Sequence, residues 1–99
     1  MAGRARSEAT LEEIERTRWD VIATLCEYPE VKWTAAKLWE RLLFRQKWAL
    51  DSVMSDMQAE GAIRQIFDHD AEGEPMTWFK ACAGTILAWA RKKATEEKD

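Results

Sequence analysis

Thr34-Ala35-Ala36-Lys37-Leu38-Trp39 and, further on, Leu50-x-x-Val53-Met54-x-x-Met57-x-x-x-Gly61-Ala62-Ile63 are the two stretches on which the fold turns. Thr34 has the side chain of a good N-cap, and the helix it opens runs to about Leu43, burying Ala35, Leu38, Trp39 and Leu42. Leu50, Val53, Met54 and Met57 recur at i, i+3, i+4 and i+7, one face of a second helix. Gly61 supplies the left-handed residue that stops it. Between the two, Arg45-Gln46 leaves room only for a tight connection, with the new helix starting close by.

Upstream, Thr10 and Glu13 have capping-box spacing for a helix from about Leu11 to Glu27. Its apolar residues Leu11, Ile14, Val21, Ile22 and Leu25 share one face, with Trp19 and Cys26 at the edge. Tyr28 precedes Pro29, which biases it away from helix and ends the element. Val31-Lys32-Trp33 then reads as a short extended piece.

Downstream of Gly61 the period changes. Ile63 with Ile66-Phe67, and Met76 to Phe79, read as two strands around a polar tip, Asp68 to Pro75, which carries Gly73. A last helix is expected from Ala81 to about Thr95, with Ala83, Ile86, Leu87, Trp89 and Ala90 on one broad face. The 99 residues make one domain, 11–95, between flexible tails at 1–10 and 96–99. The remaining five tryptophans besides Trp48 are expected in the core.

The order helix, short strand, helix, helix, hairpin, helix, together with the two stretches quoted, resembles the winged helix-turn-helix superfamily. It covers Trp19 to Lys80. The resemblance implies an α+β fold of three helices, a β-hairpin wing and a C-terminal helix. It also implies a sequence-specific DNA-binding transcriptional regulator, of repressor type, whose third helix enters the major groove. Carried over by position, Arg45, Gln46 and Lys47 stand at the reading end of that helix, with Trp48, Ser52 and Ser55 on its outward face. Arg45 or Lys47 would address guanine and Gln46 adenine, while the serines take a base or a phosphate. Lys37 and Arg41 would fix the phosphate backbone of double-stranded DNA.

Charge argues in both directions. The net charge is −3, not the basic excess of a typical nucleic-acid binder. Yet between Lys32 and Lys47 stand five cations (Lys32, Lys37, Arg41, Arg45, Lys47) against Glu40 alone. Asp51, Asp56 and Glu60 on the third helix, and Asp68, Asp70, Glu72 and Glu74 in the hairpin tip, would repel phosphates. The alternative is therefore a winged-helix protein-interaction module that docks through Trp48 and the acidic wing. An exposed tryptophan is a strong interface anchor; otherwise Trp48 packs under a neighbouring helix.

Small residues beside Ile86, Leu87, Trp89 and Ala90 would let the last helix approach another closely, and in winged-helix regulators of this layout such a helix often forms a homodimer. Cys26 and Cys82 lack metal-type spacing and read as small buried hydrophobes in a reducing, cytoplasmic setting. No apolar run reaches membrane-spanning length, and no membrane association is expected. His69 is the single histidine, in a hairpin tip whose acids only faintly imitate a calcium loop, since the twelfth position is Phe79. No catalytic constellation is visible, so neither enzymatic activity nor a cofactor is expected.

Overall fold

The computed structural model describes residues 10–97, apart from the side chains of Phe44 and Arg45. The architecture is α+β: α1 (Leu11–Glu27), α2 (Ala35–Arg41), a 3-10 turn (Phe44–Ala49), α3 (Leu50–Ala59), β1 (Ile63–His69), β2 (Pro75–Ala81) and α4 (Ala83–Glu97). Residues 1–9 of the expected tail at 1–10, and residues 98 and 99, lie outside the described residues.

Helix α1 starts as its first residues dictate. The Thr10 hydroxyl accepts the Glu13 N–H at 3.0 Å and the Glu13 carboxylate accepts the Thr10 N–H at 2.9 Å, satisfying two orphan donors. Two buried threonines on its inner side cost little, because Thr17 donates to the Glu13 carbonyl at 2.6 Å and Thr24 to that of Asp20 at 2.8 Å. Helix α2 opens on Thr34, whose hydroxyl accepts the Lys37 N–H at 3.2 Å.

Helix α2 is shorter than expected. It ends at Arg41, and Leu42 is already extended. Leu38 and Leu42, four apart, take the whole inward side. Trp39 lies a further 100° round the helix and is 42 % exposed; Ala35 is exposed as well. The expectation that both are buried is therefore corrected. A 3-10 turn replaces the tight two-residue connection, and it delivers Ala49 and Leu50 to the core.

In α3 the four apolar positions Leu50, Val53, Met54 and Met57 are all buried, as their spacing requires. The helix stops in a Schellman arrangement: Gly61 has φ 76°, its N–H reaches the Gln58 carbonyl, and the Ala62 N–H reaches that of Met57 at 2.8 Å. Across the outside, the Arg18 guanidinium grips both carboxylate oxygens of Glu60 at 2.6 and 3.1 Å, tying α1 to the end of α3. That fork holds the Glu60 carboxyl below its usual range and raises Arg18.

Strands β1 and β2 pair antiparallel from Ile63 opposite Ala81 to His69 opposite Pro75. Trp33 adds one bridge on the outer edge of β2, its carbonyl accepting the Phe79 N–H at 2.9 Å. The short extended piece before α2 thus joins the sheet. At the tip, one Asp70 carboxylate oxygen accepts the N–H groups of Glu72 and Glu74, both at 2.9 Å, and Gly73 takes φ 84°. Helix α4 begins at Ala83, since Ala81 still pairs in the sheet, and extends through Glu97, so residues 96 and 97 are helical and not tail.

The core gathers α1, α2, the 3-10 turn, α3 and the inner face of the hairpin around Leu38, Met57, Val21 and Val53. Only Trp33 among the tryptophans is buried. Trp19, Trp48, Trp78 and Trp89 are half-buried, which corrects the expectation that five build the core. Among the described residues no helix is long and apolar enough to cross a membrane. Cys26 and Cys82 are free and half-buried; burial pushes the Cys26 thiol up.

Candidate nucleic-acid interface

The spacing of Lys37 and Arg41, i and i+4, puts them on one flank of α2, and both side chains are exposed. Arg41 does not hang free. Its guanidinium lies 5.1 Å from the centre of the Tyr28 ring and 5.4 Å from that of Trp33, and the two rings are themselves tilted against each other at 6.2 Å. Such stacking contributes about 0.5–1 kcal/mol at an exposed site and limits where the cation can point. Trp33 is fixed in turn by its indole N–H, which donates to the Tyr28 carbonyl at 3.0 Å.

Lys47 belongs to the 3-10 turn. It is half-buried, with its ammonium 5.5 Å from the Trp39 ring, the residue that α2 turns outward. Ser52 and Ser55 are exposed on α3, with Asp51 and Asp56 exposed beside them. The Arg45 side chain lies outside the described residues, while its backbone belongs to the 3-10 turn.

Gln46 is not a surface residue. It is buried: its amide oxygen accepts the Leu43 N–H at 3.0 Å, and its amide nitrogen donates to the Asp20 carboxylate of α1. The expected adenine contact is corrected, because an amide committed on both sides inside the turn cannot reach a base. Its role is to pin the turn to α1. Gln46→Ala is expected to cost about 1–3 kcal/mol, the range for orphaning buried polar partners, read as a lower midpoint in urea with an unchanged slope. Trp48 is half-buried in the same turn, between the exposed anchor and the packed side chain that the sequence left open.

Compared with known protein families, curated proteins and solved structures, the chain finds no match.

The hairpin tip is acidic as expected, with Asp70, Glu72 and Glu74 exposed, but Asp68 is not a free carboxylate. Asp68 is engaged by the Lys32 ammonium at 2.8 Å, by the His69 N–H at 2.8 Å and by the Trp78 indole N–H at 3.3 Å. These donors, Lys32 foremost, lower its pKa to about 2. Lys32 is thereby neutralised and drops out of the cation stretch. Asp70 uses one carboxylate oxygen to brace its own loop and is exposed together with Glu72 and Glu74. Lower on the stem Arg64 stands directly opposite Lys80, both exposed, a like-charge pair that is unfavourable unless an anion lies across it. Sequence reading missed this pair because the two residues meet only once the register is known.

The Asp68 contacts carry a pH signature. A carboxylate with a depressed folded pKa contributes stability above its unfolded pKa, and loses it as pH falls through the folded value. The Lys32–Asp68 link therefore persists down to about pH 2. Lys32→Met should move the Asp68 midpoint up towards 3.8 without reaching it, since the His69 and Trp78 donors remain. Carbon-detected NMR titration of the Asp68 carboxyl reads this directly, and an unmoved midpoint would contradict it.

On α4, Ile86 and Leu87 are 46 % and 53 % exposed, and Ala90 is exposed. Trp89 instead turns inward and packs on the core, with Lys93 over its ring at 5.5 Å, so the single broad face expected is in fact two.

Proposed function

We propose that this chain is a winged-helix DNA-binding module, acting as a transcriptional regulator. The order α1, bridging strand, α2, 3-10 turn, α3 and hairpin is consistent with that fold. What carries the reading is where uncompensated positive charge lies. Arg18, Lys32 and Lys92 are each spent on a carboxylate; among the described residues Lys37, Arg41, Lys47, Arg64 and Lys80 are in no salt bridge, and neither are Arg16 on α1 and Arg91 and Lys93 on α4. The first five, the larger group, belong to α2, the turn and the wing stem, the parts that flank an incoming phosphate backbone in this mode of docking. Ser52 and Ser55 on α3 would face the groove with Lys47, while Gln46 supports the turn from inside. Amide NMR with random-sequence duplex DNA tests this: perturbations are expected at Lys37, Arg41, Lys47, Ser52, Ser55 and Arg64. Shifts confined to other surfaces would overturn the arrangement.

A second reading, a protein-interaction module, draws on a different observation. Asp51 and Asp56 make the outward face of α3 acidic, and Trp39 and Leu43 leave large apolar surface beside it in sequence. An aromatic anchor with acidic neighbours suits a protein partner. On that reading Trp39→Ala abolishes partner binding and duplex DNA produces no shifts.

A further inference from the structure

Between α1 and α2 lies an open cleft of about 180 Å³. Its floor is apolar, lined by the buried side chains of Val21, Leu38 and Leu42. Two exposed and opposite charges share it with them, Glu27 from the last turn of α1 and Arg41 from the last turn of α2. They are not paired with each other, and neither is in a salt bridge with any other described residue. Elsewhere, charges that meet across elements do pair: Arg18 grips Glu60, and Lys32 holds Asp68. Here Arg41 is drawn instead onto the Tyr28 and Trp33 rings, which fix the guanidinium and leave its N–H donors without a carboxylate.

The negative side is equally uncompensated. Glu27 is the last residue of α1, where the carbonyl end of the helix already carries partial negative charge, and that last turn holds no basic residue. Asp20, the other carboxylate of the cleft, is already drawn on by the Gln46 amide, so the site for a cation is at Glu27. A simple anion would satisfy only Arg41, and a simple cation only Glu27. A molecule that bears both charges a short distance apart satisfies the two at once.

We propose that this cleft binds a small zwitterion of the α-amino acid type with an aliphatic side chain. Its carboxylate lies on the Arg41 guanidinium, its ammonium on the Glu27 carboxylate, and its side chain on Val21, Leu38 and Leu42. The planar fork of an arginine suits a carboxylate. The volume is below the roughly 300–1,000 Å³ of pockets that take drug-sized ligands, which limits the occupant to few heavy atoms. Because the cleft is open, the dissociation constant falls on the order of millimolar. Arg41 also belongs to the proposed DNA face, where a bound carboxylate would compete with a phosphate; the site itself stands without that reading.

Amide NMR of the isotope-labelled chain titrated with L-valine, without DNA and at constant pH and ionic strength, tests the site. Saturable shifts are expected at Ala23, Thr24, Glu27, Tyr28, Leu38 and Arg41. Isovalerate, which lacks the ammonium, and isobutylamine, which lacks the carboxylate, should each bind at least about tenfold more weakly. Glu27→Gln should lose the preference for valine over isovalerate, and Arg41→Gln the preference for valine over isobutylamine. Both side chains are exposed, so thermal melts should show both variants folded. No saturable shift with L-valine, shifts centred outside the cleft, or a singly charged analogue that binds the wild type as tightly as valine would each overturn the proposal.

Discussion

The Lys37→Ala/Arg41→Ala double variant is expected to bind random-sequence duplex DNA at least about tenfold more weakly than the wild type at low salt. Each phosphate contact contributes about 0.9 to the slope of log affinity against log salt. Removing two should therefore flatten the slope by about 1.8, whatever the DNA sequence. Both side chains are exposed, so the fold should survive; the lost stacking of Arg41 on Tyr28 and Trp33 costs about 0.5–1 kcal/mol. Circular dichroism melts of the variant separate this small loss from the binding effect. An unchanged slope would mean that the two cations are only a solvated face.

For stability the largest expected effect is Met57→Ala. Met57, on α3, is completely buried in the core cluster that includes Leu38, Val21 and Val53, and its truncation leaves a cavity there. Such substitutions cost about 2–5 kcal/mol. In a domain of this size that lowers Tm by roughly 10–30 °C. Trp39→Ala removes a larger side chain, yet it should cost no more than about 1 kcal/mol, chiefly the Lys47 contact. Thermal melts of the two variants side by side check how α2 is rotated. If Trp39→Ala were the more damaging, the inward side of α2 would be wrong.

The fold was readable where one residue type does one local job. Thr10 with Glu13 caps, Pro29 ends α1, the four apolar positions of α3 set its face, and Gly61 supplies the only backbone conformation that closes it. Periodicity says less where a helix is short. In α2 and its C-cap Leu42 the apolar set Ala35, Leu38, Trp39 and Leu42 covers more than one face, and only tertiary packing decides that Leu38 and Leu42 are the buried ones. Similarly, α4 has apolar residues on both sides, so Trp89 and Leu87 read as one face although they point nearly opposite ways.

The candidate site was legible in composition and not in detail. The excess of cations between Lys32 and Lys47 is real, but two polar residues of that stretch are committed to partners elsewhere in the protein, Lys32 at the surface and Gln46 in the interior. Lys32 pairs with Asp68 thirty-six residues on, and Gln46 reaches back to Asp20 across twenty-six. Both are tertiary contacts without a local signal. The same holds for Arg64 and Lys80, which become neighbours only through the hairpin register. The rings under Arg41 belong to the junction between α1 and α2, where the sequence showed only a helix stop and a short strand.

The measurement that bears most directly on the central claim is a salt series of wild-type binding to random-sequence duplex DNA, followed by fluorescence anisotropy. Under the proposed function, phosphate contacts by up to five cations (Lys37, Arg41, Lys47, Arg64 and Lys80) predict affinity in the micromolar range at low salt, with a log–log slope of about −3 to −4.5. Absence of binding at the lowest salt, or binding indifferent to salt, would contradict it and leave the protein-interaction reading in its place.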